Sequence, residues 1–430
     1  MILVPYLLIA IFLFVFVSDA KKGILVAVLI RPVIDCFYES AFALGGIKPT
    51  ELLGVLLPLL VFFRLLLSKN QGFLRAPLAL LWIVYSFFQL FSTVMIFTAG
   101  FNFMAAFNHF FRTFNGFIGF FIFQEFFRTR EEFRTLLVVH LLAGVFPLGM
   151  SVYQNILGGT IRTERTIGGL IRNIGFYHDA YTLRLYCFQT IAAGLLYWAY
   201  FLEKSKALRL VLVSMGCVAL FTVYKLFSKA GYIVTASWMV VWPLARRKLA
   251  SFVVVVVIGA AFVVFNSQSK TIDLIYSKEV NALAGEEKTD RMFQGRVGMW
   301  KNKYAKWEDL MILNKMLGDG KPNTGAHNDF LRVLFGTGII GLMLYVTVLS
   351  TLLVRLTVRC FRDNTPLNVL ALMLILMWLV DALGLVPGAY PGYQVFVWGF
   401  VGLALRGISG LKPGEVPDVP APGKSTTSTA

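Results

Sequence analysis

Residues 325–342 read GAHNDFLRVLFGTGIIGL. A histidine, an amide and an acid occupy 327–329, and from Phe330 the chain is mostly apolar to about Val354. A run of that length matches the roughly 20 residues that cross a bilayer, so the polar trio stands at the mouth of a membrane helix. Asn328 or Asp329 can cap this helix, since a short side-chain oxygen satisfies the free N–H groups of a first turn. The alternative for both residues is acceptor handling at the same mouth. A cap does not require His327, whose imidazole is the side chain best suited to accept a proton near neutral pH. Gly336, Gly338 and Gly341 then allow close helix approach within the run.

Runs of the same kind recur along the whole chain. Of its 430 residues 57% are hydrophobic and 15% charged, against about a quarter charged in an ordinary soluble domain, and the mean hydropathy is +0.72. The sequence therefore predicts an all-α polytopic membrane protein with no sizeable separate soluble domain. Spans are expected near 2–17, 23–37, 51–67, 76–98, 104–127, 134–156, 182–202, 207–225, 230–245, 250–266, 330–354, 366–386 and 392–406. That makes about 13 crossings, or about 12 if the first two runs form one hairpin or a partly re-entrant pair. The first run has no basic residue before it and Lys21-Lys22 after it, the pattern of a retained, reverse-oriented helix more than of a cleaved signal peptide.

The charges sort the connections into two sets. Lys21 and Lys22, then Arg64, Lys69 and Arg75, then Arg128, Arg130 and Arg134, then Lys204, Lys206 and Arg209, then Arg246, Arg247 and Lys248, then Arg355, Arg359 and Arg362 fall in alternate connections, as cytoplasmic loops do. This anchoring accounts for most of the net charge of +17, so no nucleic-acid partner is needed. The C-terminus belongs to the same side. The division is then an N-terminal bundle, 1–266, with a short outer loop at 158–181; a large outer loop, 267–329; C-terminal membrane helices, 330–408; and a Pro/Ser/Thr-rich tail, 409–430, expected to be a disordered cytoplasmic segment.

A residual set of cations runs against this bias: Arg162, Arg165, Arg172, Arg184, Lys225, Lys229, Arg291 and Arg296 all fall on the outer side. Something anionic is expected there. Arg112 lies about ten residues into its span, where an isolated charge costs a few kcal/mol. It either lines a polar cavity or pairs with a polar group on a neighbouring helix. In the large loop, Phe293, Val297, Trp300, Tyr304 and Trp307 form one stripe at helical spacing, fit for the membrane interface or for capping the bundle. Turns are expected at Gly318-Asp319-Gly320 and Pro322. Cys36, Cys187, Cys217 and Cys360 imply no disulfide framework, and His109, His140, His178 and His327 show no metal-ligand spacing.

The string GDGKPNTGAHNDFLRVLFGTGIIGL, 318–342, resembles the signature region of the bacterial O-antigen ligase and O-antigen polymerase superfamily, in which a Gly-x-Gly, a His-Asn pair and a Gly-x-x-Gly-Leu run lead from the large periplasmic loop into a late membrane helix. RNIGFYHDAY, 172–181, is similar to the Arg-x-x-Gly element of that family, FSKAGY, 227–232, to its Ser-Arg-Gly or Ser-Arg-Ala turn, and GRVGMW, 295–300, to the Arg and Trp element of its large loop. These motifs cover about half the chain in order.

The resemblance implies a bacterial inner-membrane glycosyltransferase with its site facing the periplasm. Such enzymes move a glycan from undecaprenyl pyrophosphate to an acceptor sugar hydroxyl, with inversion and without a metal or other cofactor. His327 is then the general base, and Arg172, Lys229, Arg296 and Arg112 are candidates for the pyrophosphate. The expected partners are the lipid-linked glycan, an acceptor glycan or glycolipid, membrane lipid and a chain-length regulator. Two departures stand out: Lys229 replaces the commoner Arg, giving a point charge without the bidentate fork, and Phe176-Tyr177-His178-Asp179 replaces the Pro-Asn pair of many ligases. The second favours a polymerase of O-antigen or exopolysaccharide over a ligase acting on lipid A-core. His178 and Asp179 are read as polar residues at the head of the next helix, with an acceptor-handling pair as the alternative. A lipid-linked sugar transporter or flippase is the reading from another class. It predicts essential polar groups through the bilayer midplane, whereas the unusual residues here gather at the outer side.

Overall fold

The computed structural model describes residues 3–38, 48–68, 72–98, 100, 103–166, 169–202, 205–254, 256, 257, 259, 271–318, 325 and 327–411. The turns expected at 319–322 and most of the tail lie outside the described residues, as does most of the span expected at 250–266.

Helices carry the architecture. In chain order they are α1 Val4–Ser18, α2 Ala20–Ile34, α3 Pro49–Leu66, α4 Ala79–Thr98, α5 Phe103–Phe126, α6 Arg130–Asn155, α7 Ala180–Phe201, α8 Lys206–Lys225, α9 Lys229–Ala245, α10 Thr271–Leu283, α11 Met292–Glu308, α12 Ile312–Leu317, α13 Asp329–Arg362, α14 Pro366–Gly384 and α15 Pro391–Arg406. Among the described residues the strands are β1, Thr163–Arg165, and β2, Ile171–Asn173, an antiparallel pair with Glu164 opposite Arg172. Among the described residues five helices are long and apolar enough to cross a membrane, namely α3, α6, α8, α13 and α14. The chain is an all-α membrane protein.

The first two runs form a hairpin of short helices. Each has 15 residues, about 22 Å against a hydrocarbon core of about 30 Å. Asp19 joins them and accepts a hydrogen bond from the Lys22 N–H at 3.1 Å. A side chain at Gly23 would meet Phe16 Cα at 2.5 Å, so the glycine lets α2 fold back on α1.

Other helices are more polar because they are buried by protein instead of lipid. Every residue of α7 from Ala180 to Thr190 is buried. Helices α5 and α15 pack backbone to backbone, with a Cβ on Gly119 falling 2.9 Å from the Gln394 carbonyl, the close approach that small residues permit inside a membrane.

The ends of the bundle keep the two sets of connections apart. At one end Lys21 pairs with Glu132, and Arg406 pairs with Glu125. Thr129 bridges to Ser409, and Arg246 donates to the Asn364 carbonyl. These are the connections that the positive-inside pattern groups together. At the opposite end Tyr186 donates to Asp35 at 2.6 Å, Tyr390 to Asp179 at 2.8 Å and Asn328 to the Leu383 carbonyl at 3.2 Å.

Candidate functional site

The opening stretch sits at this second end. Asn328 caps α13, its Oδ1 accepting from the Leu331 N–H at 3.0 Å. Asp329 does not share that task. It is fully buried, bound to Arg332 Nε at 2.8 Å and accepting from the Tyr345 hydroxyl at 2.7 Å. Tyr345 in turn accepts from Trp378 Nε1 at 2.8 Å, so the acid is fixed from two helices.

His327 stands just outside the cap and is solvent-exposed. Its φ of 45° puts it in the left-handed region, which a non-glycine residue enters at some cost. Partial burial and then the charge of Arg296 hold its imidazole below the ordinary value of 6.5. The ring is therefore neutral at pH 7 and able to accept a proton.

Arg296 comes from the first turns of α11. Its Nη1 lies 3.1 Å from where a Cβ on Gly384 would stand. The preceding residue, Leu383, holds Asn328 through its carbonyl, so the mouth of α13 and the large loop meet on the same turn. Burial, and then the charge of Arg172, lower the affinity of Arg296 for its proton. The structure thus gathers His327, Arg296 and Arg172 from three distant segments. Arg172 itself is held in a fork by Glu164 across the β-hairpin, at 3.0 and 2.6 Å.

The remaining predicted residues have partners of their own. Lys229 opens α9 and pairs with Glu279 at 2.5 Å. Arg184 is buried against Asp381 and also donates to Ser228 at 3.1 Å. The Arg184 charge therefore has an internal counter-ion and calls for no external anion. His178 stacks on Tyr38 with ring centres 4.6 Å apart, while Asp179 is the cap of α7, accepting from the Thr182 N–H at 2.8 Å.

Arg112 lies nearer the mouth than its position in α5 suggests. Its carbonyl accepts from Gln394, one turn into α15, at 2.5 Å, because the first turns of α5 stand above that level. Among the described residues its guanidinium makes no ion pair. Arg332, whose charge acts on it, and His109, one turn before it on α5, were not singled out as site residues by the sequence. The signal available was Arg332 three residues after Asp329, the spacing of a helical ion pair.

Among the described residues no three His, Cys, Asp or Glu side chains gather as metal ligands would. No protein-family model matches the chain, and neither does any curated protein.

Proposed function

We propose that the protein is a membrane glycosyltransferase that takes a glycan from a polyprenyl pyrophosphate and joins it to an acceptor sugar hydroxyl at the outer face, polymerising lipid-linked repeat units. The observation that carries this reading is that Asn328, the neighbour of His327, and Arg296 of the large loop meet on the turn at 383–384, with His327 and Arg172 each near enough to Arg296 for their charges to act on one another. The ordered likeness of the four motifs to the O-antigen ligase and polymerase superfamily supports the same reading.

The chemistry follows from the parts. His327, neutral at pH 7, takes the proton of the acceptor hydroxyl. The hydroxyl oxygen attacks the anomeric carbon from the face opposite the pyrophosphate, a new C–O bond forms, and the bond to the leaving oxygen breaks. The lipid pyrophosphate departs with that electron pair. Arg296 and Arg172 stabilise the charge that gathers on it, with Lys229 close to the large loop as a further cation. Glu164 and Glu279 keep Arg172 and Lys229 oriented until a phosphate competes for them.

The test uses purified protein in nanodiscs, a synthetic undecaprenyl-pyrophosphate oligosaccharide and no added metal. Wild type is expected to build a ladder of longer lipid-linked chains, and a folded His327→Ala protein to build none. Chains that appear only on added lipid A-core make the protein a ligase. A His327→Ala protein as active as wild type overturns the mechanism.

A further inference from the structure

The polar groups around Arg112 are not used by the chemistry above. His109 stands one turn before Arg112 on α5, and its Cε1 lies 3.1 Å from the Cβ position of Gly336. Gly336 is one turn on from Arg332. The Nη2 of Arg332 lies 2.5 Å from the Cβ position of Gly388. Gln394 ties the two sides together, its amide donating to the Arg112 carbonyl at 2.5 Å and to the Gly388 carbonyl at 2.8 Å. Two guanidiniums and a histidine thus come together from α5 and α13, with the turn before α15 packed against Arg332.

Their charge is not balanced from within. Arg332 has Asp329, which also serves Tyr345. Glu51 acts on Arg112 only at longer range, its carboxylate accepting from the Lys48 N–H at 3.3 Å. Two polar side chains here are almost wholly buried with an atom lacking a partner among the described residues: Nε2 of His109, 3% exposed, and Nε2 of Gln89, 1% exposed. Gln89 is placed by Thr113, the neighbour of Arg112, whose hydroxyl donates to its Oε1 at 3.3 Å. Buried polar atoms without partners beside a surplus guanidinium, at the mouth of the bundle, call for an anion.

We infer that Arg112, Arg332 and His109 form a second anion site, at the mouth of the bundle, which takes the phosphate or pyrophosphate of a polyprenyl lipid. Its cations are not those of Arg296 and Arg172: Arg332 meets the turn at Gly388 from within the bundle, whereas Arg296 meets it at Gly384 from the large loop. Joining one lipid-linked glycan to another requires two such head groups, and in that respect the inference rests on the function proposed above.

Native mass spectrometry of the full-length protein with geranylgeranyl pyrophosphate counts the sites. Wild type is expected to hold two lipids, Arg112→Gln one, and Arg112→Lys, which keeps the charge, two again. His109→Gln is expected to weaken the second binding about tenfold. If the outer cluster holds no lipid, the counts become one for wild type and none for Arg112→Gln, which sinks the outer cluster's role and leaves this site standing. Equal counts in wild type and Arg112→Gln overturn the inference. Inorganic pyrophosphate that competes as well as the lipid makes this a soluble-anion site and overturns its lipid assignment. His327→Ala is expected to keep both lipids while transferring nothing, so failure of the transferase reading shows in turnover and failure of this site in the count.

Discussion

His327 combines a strained backbone with a depressed proton affinity, and the two can be tested apart. Asparagine tolerates the left-handed region better than most residues, so His327→Asn removes the base without adding strain. Transfer is expected to fall by at least about a hundredfold, with thermal stability unchanged. Because partial burial and then the positive charge of Arg296 disfavour the imidazolium, the acidic limb of kcat/KM should lie below the ordinary histidine value of 6.5. Arg296→Gln removes that repulsion, so its limb should move to higher pH. A limb that does not move would separate Arg296 from the base. Arg184 and Asp381 are a different case, buried at 2% and 1% exposure. Asp381→Asn leaves a guanidinium without its counter-ion, a loss of about 3–5 kcal/mol, whereas an Arg184→Met, Asp381→Leu pair should unfold closer to wild type. Denaturation in detergent measures both.

At the scale of elements, α13 is the piece on which the site depends, and it is broken. Gly338 has φ 65° and ψ −170°, a conformation open essentially to glycine alone. A Cβ there would collide with the Met316 carbonyl, and one on Gly318 with the Gly336 carbonyl. The short helix α12 therefore lies backbone to backbone on the break and ties the large loop to the mouth that carries His327. Gly338→Ala is expected to cost about 1–3 kcal/mol and to speed amide exchange over 312–317. Unchanged exchange there would mean that α12 does not depend on the break. The glycine spacing was legible in the sequence, but its partner was not. A helix-packing motif and a docking notch for a loop some 20 residues upstream look alike until the chain is folded. The aromatic stripe was more transparent: helical spacing brings Tyr304 to Trp307, with ring centres 5.7 Å apart, while Phe293 reaches Trp300, at 6.1 Å, through first turns that carry positive φ at Phe293 and Gly295.

Across the whole molecule, hydropathy and charge carried the class and the two-ended layout, because both depend on local sequence and solvent. They did not carry the pairing of polar residues inside the bundle. Arg184 and Asp381 are 197 residues apart, and no periodicity says that their helices meet. The same blindness hid the neighbourhood of Arg112, whose level is set by Gln394 of α15 and not by counting along α5. Orientation is the property that still rests on charge alternation, and it can be measured. In a background where Cys36, Cys187, Cys217 and Cys360 are replaced, single cysteines at the exposed positions Arg165 and Lys301 probe the end that carries His327, and those at Lys248 and Arg362 probe the basic end. A membrane-impermeant maleimide added to intact cells with a permeabilised outer envelope should label the first pair and spare the second until lysis. The reverse pattern would put His327 and both cation clusters on the cytoplasmic side, where the positive-inside rule places its surplus of Lys and Arg, and the proposed outer-face transfer would fail with it.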